Sequence, residues 1–142
     1  MLAINVHMEA HGPIFQHDGA PRSVNRSVQR AVEQLVSEGE QRLDALLQMR
    51  PAGVYLSVEE ARKGQASTGF YRSHLHTLVN PMFGLIGDGG VVYGPWLEGI
   101  SSRNATTRFK GYAVFRRVAQ SLQSDAPRIL QDHLNQAMKE IG

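Results

Sequence analysis

Residues 23–49, SVNRSVQRAVEQLVSEGEQRLDALLQM, decide the fold. Val24, Val28, Ala31, Val32, Leu35, Val36, Leu43, Leu46 and Leu47 fall mostly three to four positions apart, the spacing of one buried helical stripe. Arg26, Arg30, Glu33, Gln41, Arg42 and Asp44 occupy the wet sides. Ser23 is placed to cap the start. Glu38 and Arg42 stand four apart in the orientation that supports a helix. Gly39 interrupts the pattern at a cost of about 1 kcal/mol relative to Ala, so it predicts a close approach by another element. Pro51 and Gly53 end the helix.

Upstream, Leu2, Ile4, Val6 and Met8 alternate with Asn5, His7 and Glu9, which predicts a half-buried strand. Gly12, Pro13, Asp18, Gly19 and Pro21 punctuate a loop, with Ile14-Phe15 able to pin it. Downstream, residues 54–68 read two ways: Val54–Val58 as a strand, or Ser57-Val58-Glu59-Glu60 as a capping box opening a helical turn. Residues 64–69 read as a loop. Pro81–Gly87 has the bulk of a strand, and Asp88-Gly89-Gly90 is a turn. Val91-Val92-Tyr93 pairs with 71–87 as antiparallel strands, or else Val91–Ile100 coils into a short helix carrying Trp96 and Leu97. Residues 101–111 read as a long exposed loop. Tyr112, Phe115, Val118, Ala119 and Leu122 give a second helical stripe, and Ile129, Leu130, His133, Leu134, Ala137, Met138 and Ile141 a third. Between them Asp125 and Pro127 mark a restart, so the end of the chain is two helices or one kinked helix. Helices and strands do not alternate regularly. The expected fold is therefore α+β, one domain over 1–142, with a small mainly antiparallel sheet packed against the long N-terminal helix and C-terminal helices closing it.

A chain of 142 residues can bury a core without staples. It has no cysteine, which excludes a disulfide scaffold, a zinc ribbon and a thiol nucleophile. No apolar run reaches the roughly 18 residues of a membrane span. The first residues carry no basic region or long apolar stretch, so the expectation is a protein that is not secreted and is made in the cytosol. Net charge is +2, but unevenly spread. Residues 1–100 hold 8 Lys/Arg and 10 Asp/Glu, and residues 101–142 hold 7 and 3. Arg103, Arg108, Lys110, Arg116 and Arg117 lie in a stretch without an acid. Such a block can face nucleic acid, an acidic partner or plain solvent.

The residues point to no reaction. His74 and His76 form an H-x-H pair and His7 and His11 flank a strand end, but the spacing supplies no third and fourth ligand, so no metal site is expected. There is no G-x-S-x-G elbow. The glycines at 84, 87, 89 and 90 lack the Lys-Ser/Thr of a phosphate loop and the strand-then-helix setting of a dinucleotide fingerprint. No catalytic, cofactor-binding or metal residue is assigned, and no cofactor. Tyr93, Trp96 and Tyr112 bracket the basic block. Aromatics among arginines can stack on single-stranded bases, but the apolar context Val-Tyr-Gly-Pro-Trp-Leu-Glu-Gly favours packing in a core or subunit interface.

Three stretches come in a recognisable order: Thr68-Gly69-Phe70-Tyr71-Arg72-Ser73, then Val92-Tyr93-Gly94-Pro95-Trp96-Leu97-Glu98-Gly99, then Arg108-Phe109-Lys110-Gly111-Tyr112-Ala113-Val114-Phe115-Arg116-Arg117. Together with the long helix they resemble the neck proteins of long-tailed bacteriophages: head–tail connector, tail-completion and tail-terminator proteins. The likeness spans about residues 22–141, in the order T-G-x-L-R-x-S, Y-A/G-x-x-L/V-E-x-G, polar loop, F-x-R-like helix start. Phe70-Tyr71 stands where a leucine is common, and Gly99-Ile100-Ser101 replaces an aromatic-glycine-threonine ending.

The resemblance implies a structural virion protein, not an enzyme. Copies would form a ring, commonly a hexamer, joining the capsid portal complex to the tail tube. The partners implied are the chain itself, the neighbouring head-closure or adaptor ring and the tail-tube protein, with DNA passing through the lumen without sequence-specific contact and no membrane. The implied location is the virion neck, after assembly in the host cytoplasm. Tyr93, Trp96 and Leu97 would anchor packing near an interface. Arg103, Arg108, Lys110, Arg116 and Arg117 would meet acidic partner surfaces, with Glu98 as an intersubunit partner. The alternative is a nucleic-acid-binding module using the 103–117 segment, against which the small net charge and the lack of a recognition helix weigh. A small hydrolase would need a nucleophile that the sequence does not name.

Overall fold

The computed structural model describes residues 2–8, 22–48 and 70–141. The expectations for 11–21 and 54–69, and for the Ser23 side chain, lie outside the described residues. In chain order the elements are β1 (Ala3–His7), α1 (Arg22–Gln48), α2 (Phe70–Ser73), β2 (His76–Asn80), β3 (Phe83–Gly87), α3 (Gly94–Glu98), α4 (Ser102–Thr106) and α5 (Val114–Ile141). This is the α+β architecture expected.

The sheet has the order β1-β3-β2 and is antiparallel throughout. β2 and β3 form a hairpin over Pro81 and Met82, and β3 lies between the two other strands. Ile4 stands opposite Ile86, and Val6 opposite Gly84. These four are buried and make the core face of the sheet. Strand alternation therefore reads correctly in β1. Val91-Val92-Tyr93 adds no strand: the chain turns there and then coils into α3.

α1 packs the predicted stripe inward. Val28, Ala31, Val32, Leu35, Val36, Leu43 and Leu47 are all buried. The two glycines on its seam explain how closely the layers approach. A Cβ on Gly39 would overlap Ile86 of β3 and Leu122 of α5, and one on Gly84 would overlap Val36. Gly39 thus sits where helix, sheet and closing helix meet, and its cost in helix propensity is offset by that contact.

α5 lies antiparallel to α1. The Ser27 hydroxyl donates to the carbonyl of His133, His133 Nε2 meets Gln34 Oε1 at 2.7 Å, and Arg42 donates to Ser121 Oγ and Asp125 Oδ2 at 2.9 and 2.7 Å. α5 is one continuous helix with Pro127 inside it, not two helices. Asp125 caps nothing; it pairs with Arg42. An interior proline costs about 3 kcal/mol. Burial of Val118, Leu122 and Ile129 before and after it, with Pro127 itself exposed, carries the helix through.

Candidate functional site

Residues 88–117 form a knot at one end of the sheet. Asp88 follows β3 and is fully buried. Its backbone N–H donates to Leu2, its Oδ1 accepts from the N–H of Gly90 at 3.0 Å, and its Oδ2 accepts from the Tyr71 hydroxyl at 3.2 Å. One carboxylate thus shapes the Asp-Gly-Gly turn and ties α2 to the sheet. Burial, then the adjacent Asp88, push the Tyr71 phenol far above its ordinary value. The Tyr71 and Tyr93 rings lie 5.8 Å apart.

α3 starts with Pro95 in its first turn and stops at Gly99, which has φ +99°. The chain then doubles back. Gly111, at φ +92°, passes so close to Gly99 that a Cβ on either would overlap the other segment's backbone. Tyr112 and Ala113 donate their N–H groups to the carbonyls of Leu97 and Glu98 at 2.6 and 3.2 Å. Glu98 is buried, with Oε2 accepting from the N–H of Phe115 and Oε1 from that of Arg116, both at 2.9 Å. The first turn of α5 contains no acid of its own. Glu98 supplies from α3 both the acceptors and the negative charge that a helix start favours.

The loop expected over 101–111 contains a helix. Ser101 and Asn104 form a capping box around α4. Asn104 is buried: its Oδ1 accepts from the Ser101 N–H, and its Nδ2 donates to the carbonyls of Trp96 and Phe109. Trp96, Phe109 and Tyr112 stack in series, with ring centroids 4.5 and 5.0 Å apart. The polar composition that suggested an open loop is spent on internal hydrogen bonds.

The predicted interface residues therefore divide. Leu97 belongs to the core and Tyr93 and Trp96 pack half-buried within the chain. The expectation of Glu98 as an intersubunit partner is corrected: its carboxylate caps α5, where burial requires it to be fully hydrogen-bonded. Lys110 is turned back on α4, its Nζ donating to the Asn104 carbonyl at 2.7 Å. Arg103, Arg108, Arg116 and Arg117 are exposed, and none pairs with an acid among the described residues. His74 lies in the turn before β2, so it shares no strand face with His76. Among the described residues no three His, Asp or Glu side chains are placed to hold a metal.

An apolar patch went unread in the sequence. Val92 is 94% and Ile100 64% exposed, and with Leu2, Gly90, Val91 and Pro95 they line a surface pocket of about 380 Å3. The only signal was the absence of a period in Val91–Ile100 that would assign both side chains to a core. Ile100 adjoins α4, so the patch borders the segment that carries Arg103. Comparison with protein-family models, curated proteins and solved structures yields no match to this chain.

Proposed function

We propose that the chain is a structural subunit of a bacteriophage neck, forming a ring that joins the capsid portal complex to the tail tube as a tail-completion or tail-terminator protein. The observation that carries this reading is the use of charge around the knot. Asp88 and Glu98 are consumed internally, while Arg103, Arg108, Arg116 and Arg117 are exposed along an acid-free stretch of sequence, and the apolar Val92/Ile100 patch borders the helix that carries Arg103. Arg116 and Arg117 oppose the dipole at the start of α5. Among the described residues neither pairs with an acid, which supports a use toward an outside partner. Exposed, unpaired arginines and an exposed apolar patch on one chain suit docking onto an acidic protein surface.

The test is Arg108→Glu combined with Arg117→Glu. The isolated protein is expected to keep its melting temperature, since exposed substitutions shift stability by about 0.5 kcal/mol or less. Heads and tails should accumulate unjoined. Normal yields of infectious particles would overturn the proposal. A DNA-binding module using the same arginines would instead show affinity falling steeply with salt, in proportion to the phosphates neutralised. A salt titration on duplex and single-stranded DNA separates the two readings.

A further inference from the structure

α5 is weakest at its middle. Pro127 has no N–H to give to the carbonyl of Gln123, one turn back, and its ring crowds that carbonyl. Two serines ahead of it turn their hydroxyls back on the helix. Ser121 Oγ donates to the carbonyl of Val118 at 2.9 Å, and Ser124 Oγ to that of Gln120 at 3.1 Å. Hydroxyls bonded in this way weaken a helix and favour its bending. Ser121, Ser124 and Pro127 thus gather three loosening residues within about two turns, the kind of segment at which long helices bend. The halves on either side are held differently. Val114, Phe115, Val118 and Leu122 are buried ahead of Pro127, whereas beyond it, among the described side chains, only Ile129 and Ala137 are.

The weak segment is bridged from outside. Gln34, Glu38 and Arg42 stand four apart on α1 and hydrogen-bond in series, Arg42 to Glu38 Oε2 and Gln34 Nε2 to Glu38 Oε1, both at 2.9 Å. The two ends of this series cross to α5 on different sides of Pro127. Arg42 donates to Ser121 Oγ and Asp125 Oδ2 ahead of it, and Gln34 Oε1 meets His133 Nε2 at 2.7 Å beyond it. A guanidinium only donates and a carboxylate only accepts, so Gln34 gives its amide N–H to Glu38 and its oxygen accepts from His133, whose proton sits on Nε2. The Ser27 hydroxyl adds a bond to the His133 carbonyl at 3.2 Å.

We propose that the segment from Ser121 to Pro127 is a hinge, that residues 128–141 are an arm which opens about it while the rest of the chain stays folded, and that the Gln34–Glu38–Arg42 series is the latch that holds the arm shut. Elements with few buried apolar contacts open locally at a lower free energy than the whole. The arm buries two apolar side chains, and its bonds from Ser27 and Gln34 meet at one residue, His133. Opening breaks these together. It leaves the sheet, α1 and the front half of α5 in place, since the Arg42 contacts lie on the near side of the hinge. It also bares Ile129 and Ala137, which the closed form hides. The device does not depend on the neck reading.

Native-state hydrogen exchange on the full chain tests this. The amides from Leu130 to Ala137 are expected to exchange through one shared opening, with protection about tenfold or more below that of Val118 to Leu122. Gln34→Ala cuts the series between Glu38 and His133. It should lower protection from Leu130 to Ala137 by about a further tenfold, the effect of losing one or two hydrogen bonds, and leave Val118 to Leu122 unchanged. Pro127→Ala restores the missing N–H and should raise protection of the arm by about tenfold or more, toward that of the front half. Equal protection of the two halves in the natural chain would overturn the hinge. So would a smooth fall toward residue 141 with no step at Pro127, which is fraying, or a step that Pro127→Ala leaves unchanged. An equal loss in both halves from Gln34→Ala, or no loss in the arm, would overturn the latch.

Discussion

The carboxylate of Glu98 accepts the backbone N–H of Phe115 at 2.9 Å across 17 positions of sequence. Its other oxygen accepts from Arg116. One side chain from a five-residue helix thus starts a helix of 28 residues. Charged hydrogen bonds of this kind contribute about 1.5–3 kcal/mol each, and buried donors left unmet cost a similar amount. Glu98→Ala is expected to lower unfolding stability by about 3 kcal/mol, and Glu98→Gln, which keeps one acceptor, by about half of that. Urea denaturation followed by circular dichroism measures both. Equal losses for the two would show that the acceptor kept by Gln contributes nothing.

Gly99 and Gly111 cross at a distance no side chain permits, both with positive φ. Gly111→Ala is expected to cost more than about 3 kcal/mol, because strain and overlap add. Ala113, two residues on, has φ 53° with a Cβ in place. There Ala113→Gly should relieve left-handed strain and raise stability by up to about 1 kcal/mol. Thermal melts of the two variants should move in opposite directions; a shared direction would refute the assignment of strain to Ala113.

Tyr71 makes the fold sensitive to alkali. Burial and Asp88 raise its phenol in the folded state above the value of about 10 in the unfolded chain. Above pH 10 the unfolded chain loses this proton while the folded one keeps it, so the unfolded state binds fewer protons and stability falls as pH rises. The slope from this group is roughly 1.4 kcal/mol per pH unit, and below pH 10 it vanishes. Tyr71→Phe should abolish that slope while leaving Asp88 short of a donor, at a cost of about 1–3 kcal/mol at neutral pH. Denaturant midpoints between pH 9 and 11.5 would show it; an unchanged slope in the variant would exclude Tyr71 as its source.

Asn104 holds three hydrogen bonds from a buried position: one accepted from Ser101 and two donated, to Trp96 and Phe109. Asn104→Asp keeps the acceptor and loses both donors, leaving a carboxylate against two carbonyl oxygens. A loss of about 2–3 kcal/mol is expected. The same burial leaves the Asn104-Ala105-Thr106 sequence closed to glycosylation in the folded protein. Urea denaturation followed by circular dichroism measures the loss, and an unchanged midpoint would contradict it.

The one-dimensional pattern was enough for the elements whose period is long and whose burial is one-sided. The stripe from Val28 to Leu47 could only be a helix against a core, and Ile4/Val6 against Asn5/His7 could only be a strand with one wet face, because burial repeats with the geometry of the backbone. Gly39 could be read as a point of close approach for the same reason: a helix tolerates glycine where something else needs the space. What the pattern could not reach was set by contacts between distant residues. Pro127 stops a helix in isolation, yet α1 packed along both sides of it carries the helix past. The polar run from Ser101 to Lys110 has the composition of a loop, and holds a short helix over Ser102–Thr106 because Asn104 finds partners at 96, 101 and 109. Glu98 reads as a surface acid until folding places the start of α5 against it. Exposure of Val92, Ile100 and the β2 edge is likewise a property of assembled layers. Apolar side chains do not record in their own order which of them the core will have no room for.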